Sequence, residues 1–148
     1  MASRLYEKIL IATDGSEYTK NAVDYGIDLA KNTGAKLLTI YVVDTAAFAS
    51  IPMDAAWESM YELLRQEGDA AIKYVVDKAK AEGLEAEGNL IEGHPADEII
   101  KYSEKNSVSI IIMGTLGKSG LDRFLLGSVA EKVVRNSKIP VLVVHAKK

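Results

Sequence analysis

Short apolar runs alternate along this chain with longer segments in which apolar residues return every third or fourth position. The first run, KILIAT (Lys8–Thr13), is rich in isoleucine and stops at a turn, as a strand does. SEYTKNAVDYGIDLAKN (Ser16–Asn32) sets Ala22, Val23, Ile27, Leu29 and Ala30 close to helical spacing, and Thr33-Gly34 closes it. KLLTIYVVD (Lys36–Asp44) is a second strand. A looser apolar segment, Thr45–Ala56 with Pro52 inside it, leads into a long helix from Trp57 to about Glu82. That helix carries Tyr61, Leu64, Gly68, Ile72, Val75 and Ala79 along one side, and its Tyr and Met residues are expected in the core. EAEGNLIEG (Glu85–Gly93) is a third strand, diluted by Gly88 and several carboxylates. Pro95 then opens a helix where a missing N–H costs nothing, and Asp97 and Glu98 suit its positive end. VSIIIMG (Val108–Gly114) is apolar throughout, as a strand of a parallel sheet covered on both faces must be. SVAEKVVRN (Ser128–Asn136) is a short helix with Val129, Ala130, Val133 and Val134 inward, and IPVLVVH (Ile139–His145) is a last strand.

Strands and helices thus alternate from end to end. Right-handed crossovers turn such a chain into an α/β fold, an open five-stranded parallel sheet with helices on both faces. Ligands of these folds bind outside the carboxyl ends of the strands, where the strand order reverses. The loops after the first, second and fourth strands therefore matter most. They hold Asp14-Gly15-Ser16, Asp44, and the stretch GTLGKSGLDRFLLGS from Gly114 to Ser128.

Composition narrows the chemistry. The 148 residues, 48% of them hydrophobic, suit one domain with a sizeable core. A net charge of −3 provides no basic field for nucleic acid. The absence of cysteine excludes disulfides, thiol catalysis and Cys-based zinc sites, and the two histidines, His94 and His145, lack metal-ligand spacing. No secretory leader is expected, since the apolar run Ile9–Ala12 is broken by Thr13 and Asp14. No stretch approaches the ~18 apolar residues of a membrane span. A cytoplasmic, soluble protein is the expectation.

Gly117-Lys118-Ser119 matches the end of a P-loop, but the match fails. The P-loop pattern needs a glycine where Ile112 stands, inside a strand, and its Ser/Thr leads straight into a helix. Here Ser119 is followed by Gly120 and further loop residues. What remains is Gly114-x2-Gly117-x9-Gly127-Ser128. Gly114 ends a strand, Gly117 allows positive φ or close backbone approach, and Gly127-Ser128 opens a helix whose first N–H groups lack partners. Brought together, these residues form an anion-binding concavity, with Lys118 and Arg123 adding charge nearby. Ser128-Val-Ala-Glu131 also reads as a capping box, so Ser128 has a purely structural use. Spacing leaves both readings open. The same holds for Asp14: with Glu17 it reads as a helix N-cap, or as a carboxylate at a strand end placed to accept ribose hydroxyls. His94, just before Pro95, reads as a helix N-cap or surface residue rather than a base. Trp57 reads as either lid or packing.

These residues resemble the universal stress protein family over nearly the whole chain. The resemblance rests on KILIATDGSEYTKNAVDYGIDLA, YVVD after the second strand, EGHPADEII, and IIIMGTLGKSGLDRFLLGSVAEKVVRNSKIPVLVV, in that order. The glycine spacing of the last is similar to the family's ATP-binding branch. The resemblance implies a Rossmann-like sheet of order 3-2-1-4-5, similar to the adenine nucleotide α-hydrolases. It implies ATP with Mg²⁺ or Mn²⁺, held by Ala12, Thr13, Asp14, Val42, Met113, Gly114, Gly117, Gly127, Ser128 and Val129. Asp14 would contact ribose there, and the Val42 backbone adenine. A homodimer through the last strand, Pro140–Val144, is implied as well, which fits the need of an apolar edge strand for cover. Leu116 stands where many relatives carry a polar or basic residue, removing a side-chain contact to phosphate. Thr45–Ala56 is variable in the family, so no role transfers to it. The expectation is a homodimeric, nucleotide-dependent regulatory or stress-response protein with an unidentified protein partner, no nucleic acid or membrane partner, and at most slow ATP hydrolysis. An ATP-hydrolysing or adenylyl-transferring enzyme and an interaction module with a vestigial site are the alternatives.

Overall fold

In a computed structural model of the chain, residues 5–48, 50, 52, 54–115 and 126–147 are described. The elements follow the hydrophobic pattern closely: β1 (Lys8–Ala12), α1 (Lys20–Thr33), β2 (Lys36–Asp44), α2 (Ala55–Ala81), β3 (Ala86–Gly93), α3 (Pro95–Lys105), β4 (Ile110–Gly114), α4 (Ser128–Asn136) and β5 (Val141–Val144). Short 3₁₀ turns at Glu17–Thr19 and Thr45–Phe48 complete them. All five strands form one parallel sheet in the order β3-β2-β1-β4-β5.

Side-chain alternation on β1 shows why both faces need helices. Ile9 and Ile11 pack with Val23 and Ile27 of α1 and Val75 and Ala79 of α2. Leu10 and Ala12 point the other way, toward Ile99 of α3 and Ala130 and Val133 of α4. All five residues of β4 are buried for the same reason. The chain leaves β1 to one side for β2 and returns on the other as β4, so the strand order reverses between β1 and β4. A crevice opens at their carboxyl ends.

Three details depart from the pattern. The helix α2 begins two residues before Trp57, because the Asp54 carboxylate accepts from the Ala56 (3.0 Å) and Trp57 (3.2 Å) amides. Met60 on α2 is 41% exposed rather than core, since it lies at the edge of the stripe that runs through Tyr61, Leu64 and Gly68. Val134 is 45% exposed rather than inward, because α4 meets the sheet on a narrow line through Ala130 and Val133. Gly68 seats α2 tightly: a Cβ there would lie 2.6 Å from Leu90 Cδ1 and 2.7 Å from Tyr41 Cδ1.

Candidate functional site

The turn after β1 is set by its own side chains. The Thr13 amide donates to the Ile40 carbonyl (3.1 Å), the last rung between β1 and β2. The chain then reverses through Gly15, whose φ of +78° suits glycine. The Gly15 amide donates to Thr13 Oγ1 (3.1 Å) and the Ser16 amide to Asp14 Oδ1 (2.9 Å), an Asx-turn. The helix-cap reading of Asp14 is thereby corrected. The 3₁₀ turn intervenes, α1 starts only at Lys20, and Glu17 pairs with Lys20 (2.6 Å) instead of completing a box. Asp14 is half-buried and its Oδ2 accepts no hydrogen bond from the described residues.

A different device operates on β2. That strand runs to Asp44, in register with β3 through Val42↔Ile91, but β1 stops at Ala12 opposite Ile40. Successive strand residues turn their backbone groups to alternate sides. Ile40 faces β1, so Val42, two residues on, also faces that side, beyond the end of β1. Among the described residues its N–H and C=O, an adjacent donor and acceptor, have no strand to pair them.

The third contribution comes from β4 and α4. The Thr115 amide donates to the Val144 carbonyl (3.1 Å), and the Thr115 carbonyl accepts from the Gly127 amide (2.6 Å). This pair ties the two ends of the glycine loop together. Leu116, Gly117, Lys118 and Arg123 lie outside the described residues. Gly127 is the N-cap of α4, in extended conformation, and its carbonyl accepts from the Glu131 amide (2.9 Å). The capping-box reading of Ser128 is therefore corrected: Ser128 is the first helical residue, and Glu131 pairs with Arg135 (2.6 Å). The N-cap Gly127 has no side chain to cap this helix, which leaves the first amides of α4 without that partner and suited to an anion. The Gly127 N–H is not among them, being spent on Thr115.

These three contributions surround one cavity of about 270 Å³. Ala12, Thr13, Asp14, Val42, Met113, Gly114, Gly127, Ser128 and Val129 all line it; of the ten residues singled out in the sequence, Gly117 alone falls outside the described residues. Its wall also includes Thr19, Ile40, Tyr41, Asp44, Leu64, Pro95, Ile99, Thr115 and Ala130. Pro95 and Ile99 come from α3, after a strand whose following loop the sequence reading passed over. Their signal was Pro95 at a helix start, on the strand-end side of the sheet. His94 is exposed, is the N-cap of α3, and does not line the cavity. Trp57 stacks on Tyr61 (5.3 Å between centroids, 6° between planes), one turn before Leu64.

The chemistry gathered in the cavity is mixed. It offers an apolar slot from Ile40, Pro95 and Ile99, a donor–acceptor pair on Val42, a carboxylate, and an uncapped helix start. Among the described residues no three or more His, Cys, Asp or Glu side chains cluster to hold a metal ion. Nor is any helix among them long and apolar enough to cross a membrane.

Comparison with known proteins agrees with this geometry. The model of the universal stress protein family matches residues 5–145. The universal stress protein MJ0531 of Methanocaldococcus jannaschii is 45% identical over 144 residues, covering 97% of this chain and 85% of its own. The structure of MJ0577, a universal stress protein of the same organism, superposes with a TM-score of 0.84 at 30% identity, covering 97% of this chain and 99% of that one. A universal stress protein solved in complex with cAMP superposes with a TM-score of 0.70 at 27% identity, covering 96% and 98%. The chain belongs to the universal stress protein family.

Proposed function

We propose that this protein binds ATP in the cleft between β1, β2, β4 and α4, and acts as a homodimeric, nucleotide-dependent regulatory or stress-response protein. The observation that carries the reading is the N–H and C=O of Val42, unpaired among the described residues, at the cavity that also holds Asp14 and the start of α4. Adenine presents an acceptor at N1 beside the N6 amine donor, which matches an N–H and a C=O on one strand residue. Guanine presents the reverse pattern and would set like against like. The half-buried Asp14 carboxylate then faces ribose, and the triphosphate lies toward the amides of α4 and the glycine loop. A Mg²⁺ or Mn²⁺ ion would come with the triphosphate, drawing its ligands mainly from phosphate and water, since no cluster of three or more acidic or imidazole side chains stands among the described residues. The relative solved with cAMP supports an adenine nucleotide in this fold.

Hydrolysis is at most slow in this reading. Among the described residues the cavity wall holds no histidine to serve as a general base. The dimer follows from β5, an edge strand whose Val141, Leu142 and Val143 stay half-exposed in the single chain. The test is direct: purified protein is denatured and the released small molecules are identified by mass spectrometry. An adenine nucleotide is the expected result. A guanine nucleotide, or release of none from protein preincubated with ATP, would contradict it.

A further inference from the structure

Thr19 occupies the N-cap position of α1 yet makes no capping bond with its side chain. Its backbone is helical (φ −97°, ψ −9°) and continues the 3₁₀ turn before it, which leaves the hydroxyl free to bond back toward that turn. Here the residue is only 5% exposed and its hydroxyl points backwards, donating to the Ser16 carbonyl (3.0 Å). Thr19 Oγ1 also lies 3.4 Å from Thr13 Oγ1. A hydroxyl has one proton, so with the Thr19 proton committed to Ser16, Thr13 is the donor of that second contact. Thr13 in turn accepts from the Gly15 amide. A one-way relay results: Gly15 N–H to Thr13 hydroxyl, Thr13 to Thr19, Thr19 to the Ser16 carbonyl. It closes around the turn that carries Asp14, whose Oδ1 takes the Ser16 amide.

The surroundings explain why that turn needs a brace. Thr13, Asp14 and Thr19 line the candidate nucleotide cavity on one side. The same three residues line a second cleft of about 480 Å³ on the other, against Glu67, Ala71 and Tyr74 of α2. The turn thus borders two cavities, and its internal hydrogen bonds hold it between them. We infer that Thr19 is a positioning residue for the nucleotide site, its hydroxyl relay fixing the Asp14 carboxylate where ribose hydroxyls reach it. This rests on the reading of Asp14 as the ribose contact.

The test compares ATP with 2′,3′-dideoxy-ATP by calorimetric titration, in Mg²⁺, for the wild type, Thr19→Val, Thr19→Ala and Thr19→Ser. The wild type is expected to bind ATP about tenfold more tightly than the dideoxy nucleotide, as hydrogen bonds to a charged group warrant. Both T19V and T19A should shrink that ratio to about twofold or less while binding dideoxy-ATP within about twofold of the wild type. T19S, which keeps the hydroxyl, should restore the ratio. T19A opens space instead of placing a methyl beside the Ser16 carbonyl, so it serves where T19V fails to fold. Hydroxyl-free variants that keep the full ribose preference, or lose both nucleotides equally, would overturn the inference. A wild-type protein that binds ATP and dideoxy-ATP alike would instead remove the ribose reading of Asp14, and the inference with it.

Discussion

In the proposed site Asp14 has two tasks at the scale of one residue: Oδ1 holds the turn through the Ser16 amide, and Oδ2, which accepts from no described residue, would take the ribose hydroxyls. Asp14→Asn separates them, because the amide oxygen still accepts from Ser16 while the charge is gone. ATP affinity is expected to fall about five- to tenfold, the difference between charged and neutral hydrogen bonds, with melting temperature unchanged within about 2 °C. Fluorescence titration and a thermal melt check both halves; unchanged affinity would contradict the ribose role. Asp14 and Val42 were candidates from the sequence because they lie near the carboxyl ends of the first two strands, where such sheets take ligands, and the fold brings both to one cavity. Thr19 was not, since it falls inside the segment Ser16–Asn32 that reads as one helix, and only geometry reveals that its hydroxyl meets Thr13 and the Ser16 carbonyl. Ser128 misled in the opposite sense. Its capping-box spacing is intact, yet Gly127 takes the cap position because its extended backbone and carbonyl already start the helix.

Among the elements, the fit of α2 on the sheet is the most demanding contact. Gly68 lets that helix approach Tyr41 and Leu90 closely, and Tyr41 also lines the candidate cavity. Gly68→Ala gains roughly 1 kcal/mol of helix propensity. It also forces a Cβ to 2.6 Å from Leu90 Cδ1, and overpacking of this kind costs about 1–3 kcal/mol. A net loss of about 1 kcal/mol, and at most about 2, is expected, seen as a lowered melting temperature. A melting temperature equal to or above the wild type's would show that α2 slides away at no cost. Strand and helix order could be read from periodicity alone, since period and length agree in every element. Boundaries were less legible: Asp54 caps α2 two residues early, and a 3₁₀ turn delays α1 to Lys20. In both cases local side-chain bonds, not hydrophobic spacing, decide where the helix begins.

For the whole molecule, the register of β5 defines which groups a second copy would meet. The Pro140 and Val144 carbonyls accept from Ile111 and Thr115 of the β4 side, so Val141 and Val143 turn their backbone groups to the free edge. Val143→Pro removes one outward N–H and leaves the β4 ladder intact, a substitution edge strands tolerate. It is expected to shift the proposed dimer to monomer in analytical ultracentrifugation while the melting temperature changes by only a few degrees. A V143P protein that sediments as the wild-type dimer would exclude β5 as the pairing edge. The architecture and family were the most legible features of all, because an alternating chain with a fully apolar fourth strand has few ways to bury both sheet faces. What the chain binds rests on finer ground, a donor and an acceptor left unpaired where β1 stops short of β2. The measurement that tests this most directly is a calorimetric titration with ATP and with GTP, each with and without Mg²⁺. The account predicts micromolar ATP binding, at least tenfold weaker GTP binding, and tighter ATP binding with the ion. No binding heat up to millimolar ATP, or equal affinity for the two nucleotides, would contradict it.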